Sequence, residues 1–353
     1  MRAVQACLLL SLVAASPAAA AVSNATVERV SPEMVVVRWS DAAPVDVLVA
    51  DKPDVAPSVA ILASKDDRDG MHQLAAPTSQ RLYVTLRDTR DGTVVKVAER
   101  LLPLAQSSNF RDIGGYAAAG GKHVRWGKIY RSGATPLLTD ADLQEIKALG
   151  LANMVDLRSS EEVVLVPTRI RGVPMTSVGY SMGQMMSLDP AKLGTSNGPE
   201  LYGTFPVFLA PQLRVVFERL LSNDGPLVYN CSAGQDRTGF VTAMVLSALG
   251  VPRATIIEDY HLSTAYRRPQ FETQPINVAA HPNDPVAAMF ARSADATPEA
   301  RKPRPLATAE GRPFLDGAFA AIDARWGSVD AYLRQEIGLT DADIVRLRAN
   351  YLE

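Results

Sequence analysis

The chain has 353 residues, enough for two or three domains with ample cores. It is 47% hydrophobic and 21% charged, which is a globular rather than a disordered or fibrous composition. A net charge of -2 with no long run of like charge gives no support to a nucleic-acid or polybasic membrane partner.

Residues Met1 to Ala21 carry a basic residue at Arg2, an apolar stretch from Ala6 to Ala15, and the small-residue series Ser16 to Ala21. This is the pattern of a secretory signal peptide and predicts export to the periplasm or the medium. The apolar run is too short to cross ~30 Å of hydrocarbon, so no stable membrane insertion is expected. Cys7 lies inside this leader, and its removal leaves Cys231 as the only cysteine, unable to form an internal disulfide. Exported proteins tend to pair or lose their cysteines, so a retained thiol is either used chemically or buried and inert.

From residue 24 to 104 the sequence predicts strands at Thr26 to Val30, Met34 to Trp39, Val45 to Ala50, Val59 to Ala63, Arg81 to Arg87 and Thr93 to Glu99. Pro44, Pro53, Pro57 and Asp69-Gly70 punctuate them, and Asp91-Gly92 is a hairpin signal. Such spacing suggests a small β-sandwich, and Trp39 with Tyr83 in a later strand resembles a fibronectin type III or immunoglobulin-like module. No catalytic cluster falls within it, so packing, spacing or binding of a protein partner is its expected role. Lys65 to Gly70 lacks the later acidic residue of a calcium loop and reads as a solvated turn.

The second domain, 105 to 353, opens with Asn109-Phe110-Arg111-Asp112-Ile113-Gly114-Gly115. Arg111 and Asp112 read either as a structural ion pair or as phosphate-site residues. No dinucleotide or Walker fingerprint is present. Thr139 caps a predicted helix from Asp140 to Leu149, and a buried strand from Leu151 to Leu157 sets Asp156 and Arg158 near a strand's carboxyl end, where open α/β sheets place their sites. Strand at Val173 to Val178, helix at Pro211 to Leu221, strand at Leu227 to Asn230 and helix at Thr238 to Leu249 continue the alternation. The fold class expected is α/β, a four- or five-stranded, mostly parallel sheet covered by helices. After a helix from Thr255 to Tyr266, residues 267 to 313 are proline-rich and locally basic, a lid, a binding loop or a solvated linker. Three amphipathic helices, Phe314 to Trp326, Val329 to Ile337 and Asp341 to Tyr351, close the domain.

The stretch with the most chemistry is Asn230 to Phe240, N-C-S-A-G-Q-D-R-T-G-F, between a strand and a helix. There the N-H groups from Ser232 to Arg237 can curl around one anion at the positive end of the helix. Cys231 lies at the floor, and Arg237, six positions on, can fold its planar fork over two oxygens. Helix terminus, converging dipoles and a fixed cation favour thiolate over thiol, and a thiolate can attack phosphorus. Gly234 permits a backbone conformation closed to other residues, and Gly239 permits close packing of the helix start.

Cys-x5-Arg followed by Thr is the pattern of the cysteine-dependent protein phosphatases. Asn109 to Tyr116, Ile129 to Gly133, Met154 to Ser159, Asp236 to Gly239 and Tyr332 to Thr340, in that order, resemble the bacterial tyrosine-phosphatase-like family whose loop carries A-G-K-D-R-T-G. The resemblance spans roughly 105 to 353. It implies phosphomonoester hydrolysis through a phosphocysteine, with phosphotyrosine, and further phosphoserine, phosphothreonine or small phosphomonoesters, as substrates. Ser232, Ala233, Gly234, Gln235 and Arg237 would hold the phosphate, Asp236 would act as general acid and base, and Thr238 would hydrogen-bond the sulfur. The alternative for Asp236 is a helix cap. The family's usual histidine and lysine are here Asn230 and Gln235; the first leaves the thiolate less stabilised, the second removes a charge and speaks against lipid phosphates, while small or inositol phosphates stay an alternative substrate class. No cofactor or metal is implied, since His72, His123, His261 and His281 are scattered. The rivals are a rhodanese-like sulfurtransferase, whose loop lacks D-R-T-G, and an inactive phosphate-binding adaptor.

Overall fold

The computed structural model describes residues 22–41, 43–78, 80–182, 198–282 and 284–353. The leader, Cys7 included, lies outside the described residues. Among these, no helix is long and apolar enough to cross a membrane.

The first module is seven strands in two antiparallel sheets. β1 (Ser23–Ser31), β2 (Met34–Ser40) and β5 (Met71–Ala75) form one, in the order β1-β2-β5. β3 (Val45–Ala50), β4 (Ile61–Asp67), β6 (Tyr83–Asp88) and β7 (Val94–Ala98) form the other, in the order β4-β3-β6-β7. Alternating residues of both sheets, among them Val35, Val37, Trp39, Val45, Val47, Val84 and Leu86, share one apolar core. β5 has no counterpart among the predicted strands, because its five residues bury only Leu74 and offer little apolar alternation. The hairpin at Asp91-Gly92 forms, with Gly92 at φ +76°.

The second domain is built on a five-stranded sheet in the order β11-β10-β12-β9-β8: β8 (Arg111–Asp112), β9 (Ile129–Ser132), β10 (Asn153–Asp156), β11 (Met175–Ser177) and β12 (Leu227–Asn230). β9 to β12 are mutually parallel, and β8 runs antiparallel at the edge. Helices α1 (Asp140–Ala148), α2 (Ser160–Leu165), α3 (Pro199–Tyr202), α4 (Phe205–Phe208) and α5 (Ala210–Ser222) precede the last strand. After it come α6 (Asp236–Ala248), α7 (Arg253–Tyr266), α8 (Pro285–Ala294), α9 (Pro298–Arg301), α10 (Leu315–Trp326), α11 (Val329–Gln335) and α12 (Asp341–Tyr351). Because side chains alternate across a pleated strand, Tyr130, Met154 and Val228 enter a core with Leu138 and Ile146, while Ile129, Val155 and Tyr229 enter the larger core with α5, α6 and α10 to α12. The central strands read as continuous apolar runs because both faces are covered. Residues 267 to 313 are not a solvated linker: α8 buries Val286 and Ala287 against Leu165 and Val166, and the segment forms one wall of a cleft.

The two parts meet around Arg81. Its side chain donates to Asp112 Oδ2 (2.9 Å), the Tyr130 hydroxyl (3.1 Å), the Tyr83 hydroxyl (2.8 Å) and the Glu99 carbonyl (2.8 Å). Asp112 is fully buried and also accepts from the N-H groups of Gly114 (2.8 Å) and Gly127 (2.7 Å). The Trp126 indole donates to the Lys96 carbonyl, and Lys96 and Lys128 pair with Glu353 and Asp54.

Arg81→Met therefore strands a buried carboxylate, and we expect it to lower unfolding free energy by about 3–5 kcal/mol in urea titrations. Arg81→Met with Asp112→Asn, which leaves no charge behind, should be less destabilised than the single variant; equal or greater destabilisation contradicts a charge-based clamp.

Candidate functional site: an anion cradle over a buried thiol

Cys231 follows the last residue of β12 and is 2% exposed, at the base of a loop that ends where α6 begins. The outward carbonyls fix the loop's shape. Ser232 O accepts from Ala134 N (2.9 Å), Ala233 O from Asn109 Nδ2 (3.3 Å), Gly234 O from Asn109 Nδ2 (2.7 Å) and Arg131 Nη2 (2.9 Å), and Gln235 O from Gly239 N (2.9 Å). In a trans peptide the next residue's N-H points opposite to the carbonyl, so the four tied carbonyls turn the N-H groups of Ala233 to Asp236 the other way. None of the N-H groups from Ser232 to Arg237 donates to a protein acceptor among the described residues. Such a cluster of free donors at a helix start is an anion-binding nest. Gly234 is at φ +64°, and a Cβ there would come within 2.5 Å of Gly133 N and the Ser132 carbonyl carbon, so only glycine fits. A Cβ at Gly239 would meet the Tyr260 ring at 2.9 Å.

Behind the loop lies a fully buried charge cluster. Asp259, on α7, pairs with Arg111 Nε (3.2 Å) and Arg131 Nη1 (2.7 Å) and accepts from the Tyr116 hydroxyl (2.9 Å). Burial pushes the Asp259 carboxyl up, but the two arginines outweigh it and hold it well below the usual carboxylate range. Arg111 also donates to Asn109 Oδ1, which turns the Asn109 amide nitrogen toward Gly234 O. Asn109 has φ +59°, a conformation asparagine tolerates better than most residues.

Arg237 is oriented by Glu162 of α2 and Tyr180, which follows β11. Its Nη1 and Nη2 donate to Glu162 Oε2 (2.6 Å) and Oε1 (2.8 Å), and Nη1 also donates to the Tyr180 hydroxyl (2.6 Å). Those bonds use the terminal edge of the guanidinium, leaving Nε and the second Nη2 hydrogen without an acceptor among the described residues. Glu162 is itself fixed, accepting from the Ser159 N-H (2.9 Å) in a capping box and from the Ser232 hydroxyl (2.5 Å). Burial pushes the Glu162 carboxyl up, but Arg237, Ser232 and the Ser159 N-H outweigh it and hold it at about 2.

Several expected residues stand elsewhere. Arg111 and Asp112 do not line the pocket; both are fully buried, the first bracing the loop through Asp259 and Asn109 and the second clamped by Arg81. Asp156 and Arg158, also buried, pair with one another at 2.7 Å, and Arg158 reaches the Val166 carbonyl, so neither faces substrate. Asp236 does not cap its helix: Gln235 occupies the cap position without a side-chain bond, and Asp236 Oδ1 instead accepts from the Tyr202 hydroxyl (2.5 Å). Thr238 Oγ1 is buried and makes no hydrogen bond among the described residues, so the expected bond to the sulfur is not formed here. Gln235 Oε1 accepts from Arg267 Nη1 (3.1 Å), which brings a cation to the loop edge, where it is paired with Glu272 (2.8 Å). Ser232, Ala233 and Gln235 form one side of a cleft of about 1020 Å³, and Arg267, Lys302, Arg304, Leu306 and Phe314 belong to its other walls. Among the described residues no group of three or more His, Cys, Asp or Glu side chains is placed to hold a metal.

The sequence by itself does not mark out Glu162, Tyr180 or Asp259, and it offers Arg131 only within the block Ile129 to Gly133. Glu162 had a legible signal, Ser159-x-x-Glu162 being a capping-box spacing right after a strand. The buried face of α7, Ile256, Asp259, Tyr260 and Ser263, shows helical spacing around an acid, but nothing in it names the acid's partners.

Residues 102–353 match the family model described as "Tyrosine phosphatase family", which leaves the two-sheet module almost wholly outside. A Cupriavidus necator protein named "Putative tyrosine-protein phosphatase" is 34% identical over 254 residues, 69% of this chain and 86% of the relative. "Tyrosine-protein phosphatase" of Nostoc commune is 29% identical, covering 60% of this chain and 69% of its own. "Triple specificity protein phosphatase PtpB" of Mycobacterium tuberculosis is 30% identical, covering 71% of this chain and 98% of its own. These matches set aside the sulfurtransferase and inactive-adaptor alternatives. With the family model spanning most of the chain and the cradle standing inside the matched region, the chain belongs to the tyrosine phosphatase family and is a phosphatase.

Proposed function

We propose that the protein is an exported phosphatase that hydrolyses phosphomonoesters, phosphotyrosine foremost, through a phosphocysteine on Cys231. The observation that carries this reading is the set of N-H groups from Ser232 to Arg237 that find no acceptor among the described residues, with every carbonyl from Ser232 to Gln235 tied outward. A dense set of preorganised donors in a fixed cup suits a tetrahedral dianion and the extra charge of its transition state. The free Nε–Nη2 edge of Arg237 takes two equatorial oxygens, Glu162 and Tyr180 holding the guanidinium in that pose. The thiolate forms an S–P bond as the bond to the leaving oxygen breaks, and Asp236 gives that oxygen a proton. The resulting carboxylate then takes a proton from the water that cleaves S–P, releasing inorganic phosphate and the thiolate. Export rests on the leader sequence, residues 1–21. The name of the mycobacterial relative is the ground for testing phosphoserine and phosphothreonine beside phosphotyrosine. The two-sheet module is proposed to be fibronectin type III-like or immunoglobulin-like.

Cys231→Ser should reduce hydrolysis of 4-nitrophenyl phosphate to background, and a chelator should leave the native rate unchanged, since nucleophile and anion clamp are both protein groups. Arg237→Lys, which keeps the charge but not the fork, should lose about 10²-fold or more in kcat/KM, the scale of removing one preorganised transition-state donor. Near-native turnover by either variant contradicts the assignment.

Glu162→Gln leaves Arg237 without its counter-ion and should cost about 3–5 kcal/mol of stability at neutral pH. The Glu162 carboxyl is lowered on folding from 4.5 to about 2, so its contribution is full above 4.5 and is lost as pH falls through about 2. The stability gap between native and variant, measured by denaturant titration, should therefore narrow with acidification; a gap that widens contradicts the pairing.

A further inference from the structure

The carboxyl assigned as proton donor belongs to a chain of hydrogen bonds that nothing in the family match explains. Tyr260 Oη donates to Tyr202 Oη at 2.7 Å, and Tyr202 Oη donates to Asp236 Oδ1 at 2.5 Å. The two tyrosines come from separate elements, α7 and α3, and are 1% and 0% exposed. Tyr202 is wedged by aromatic neighbours, its ring centroid 4.8 Å from Phe205, 5.9 Å from Tyr260 and 6.1 Å from Phe314. Asp236 is only half-buried, and its Oδ2 accepts no hydrogen bond among the described residues.

The direction of this chain is fixed by donor count. A phenol has one hydrogen and a carboxylate only accepts, so the Tyr202 hydrogen goes to Asp236 and the Tyr202 oxygen accepts from Tyr260. Burial and the Asp236 carboxyl keep the Tyr202 phenol well above its ordinary pKa, and burial does the same for Tyr260, so both remain donors at neutral pH. Oδ1 is thus occupied by a donor and cannot itself carry the acidic hydrogen toward Tyr202. The proton to be transferred is confined to Oδ2, the oxygen without a partner among the described residues.

We propose that Tyr202, backed by Tyr260, is a positioning residue for catalysis: it locks the Asp236 carboxyl in one orientation so that Oδ2 presents its proton to the leaving oxygen. The tyrosines transfer no proton themselves. As sulfur bonds phosphorus and the phosphorus–oxygen bond to the leaving group breaks, the Oδ2 hydrogen moves to the departing oxygen. The new charge on Asp236 is stabilised by the Tyr202 hydrogen bond already in place, without reorganisation. This rests on Asp236 being the general acid, and the experiment separates the two claims.

The test compares kcat/KM, which reports the first displacement, for phosphotyrosine and for 4-nitrophenyl phosphate in Tyr202→Phe, Asp236→Asn and the double variant. A poor leaving group needs its proton and a nitrophenolate hardly does. Asp236→Asn should lose about 10²-fold on phosphotyrosine and Tyr202→Phe about 10-fold, each with a much smaller loss on the nitrophenyl ester, as expected for removing or misdirecting an acid. In the double variant, Tyr202→Phe should add nothing further on phosphotyrosine. Alkylation of Cys231 by iodoacetate and competitive inhibition by inorganic phosphate should be unchanged in Tyr202→Phe, which a merely loosened loop would not allow. Tyr260→Phe, farther from the carboxyl, should show a smaller loss with the same leaving-group dependence, and it serves if Tyr202→Phe does not fold. A leaving-group-dependent loss in Asp236→Asn but an equal or absent effect in both tyrosine variants overturns the positioning role alone. No leaving-group dependence in Asp236→Asn overturns the acid assignment and the positioning role with it.

Discussion

The site depends on one constraint: of four successive carbonyls in the loop after Cys231, three are held from outside and the fourth by the first turn of α6, and the peptide geometry then delivers the N-H groups inward. A loop left to itself would offer those groups to water or to its own turns. Here Asn109 and Arg131 hold the Gly234 carbonyl, and Asp259 holds Arg131 and Arg111 in turn. Burying two arginines against one carboxylate is a weak source of stability, because the desolvation of each ion offsets much of the attraction. What the arrangement provides is a fixed position for the cradle before any anion arrives, and fixed donors are what a developing charge needs.

The edge of the sheet ties this bracing to the first module. β8 and β9 pair Arg111 with Arg131 and Asp112 with Tyr130. Since neighbouring side chains alternate across a strand, the arginine pair reaches the loop while the Asp112–Tyr130 pair reaches the other way, to Arg81. One short ladder of two residues thus serves both the cradle and the domain junction. Asp112, which reads from the sequence as a phosphate-site candidate, stands one residue from the loop brace but on the opposite face.

Charge around the cradle is redistributed rather than absent. Gln235 carries no charge, yet its amide oxygen accepts from Arg267, and Glu272 pairs with that cation. The segment from 267 onward folds back as α8 and α9 and walls the cleft beside the loop. Its prolines and weak periodicity conceal this from a reader of the sequence, because its order comes from contacts with Leu165 and Val166, a hundred residues earlier.

Local patterns in the sequence determined much of this protein. The mainly apolar stretches 151–157 and 227–229, and the Thr139 and Thr340 caps, set strands and helices whose causes lie within a few residues of chain. The Cys231 to Thr238 spacing determined the cradle, since strand, loop and helix start are contiguous and six consecutive donors need no distant help to be counted. Only the tertiary structure decided which distant groups complete it: Glu162 and Tyr180 on Arg237, Asp259 beneath the loop, and Tyr202 on Asp236 rather than a helix cap. Asp156 and Arg158 show the same limit from the other side, for strand position put them at the right end of the sheet while their mutual ion pair removed them from the site. The reason is physical. Hydrogen bonds and ion pairs between residues 34 to 148 positions apart depend on how helices pack across the sheet, and that packing is decided by the summed burial of the whole core, which no single stretch of sequence contains.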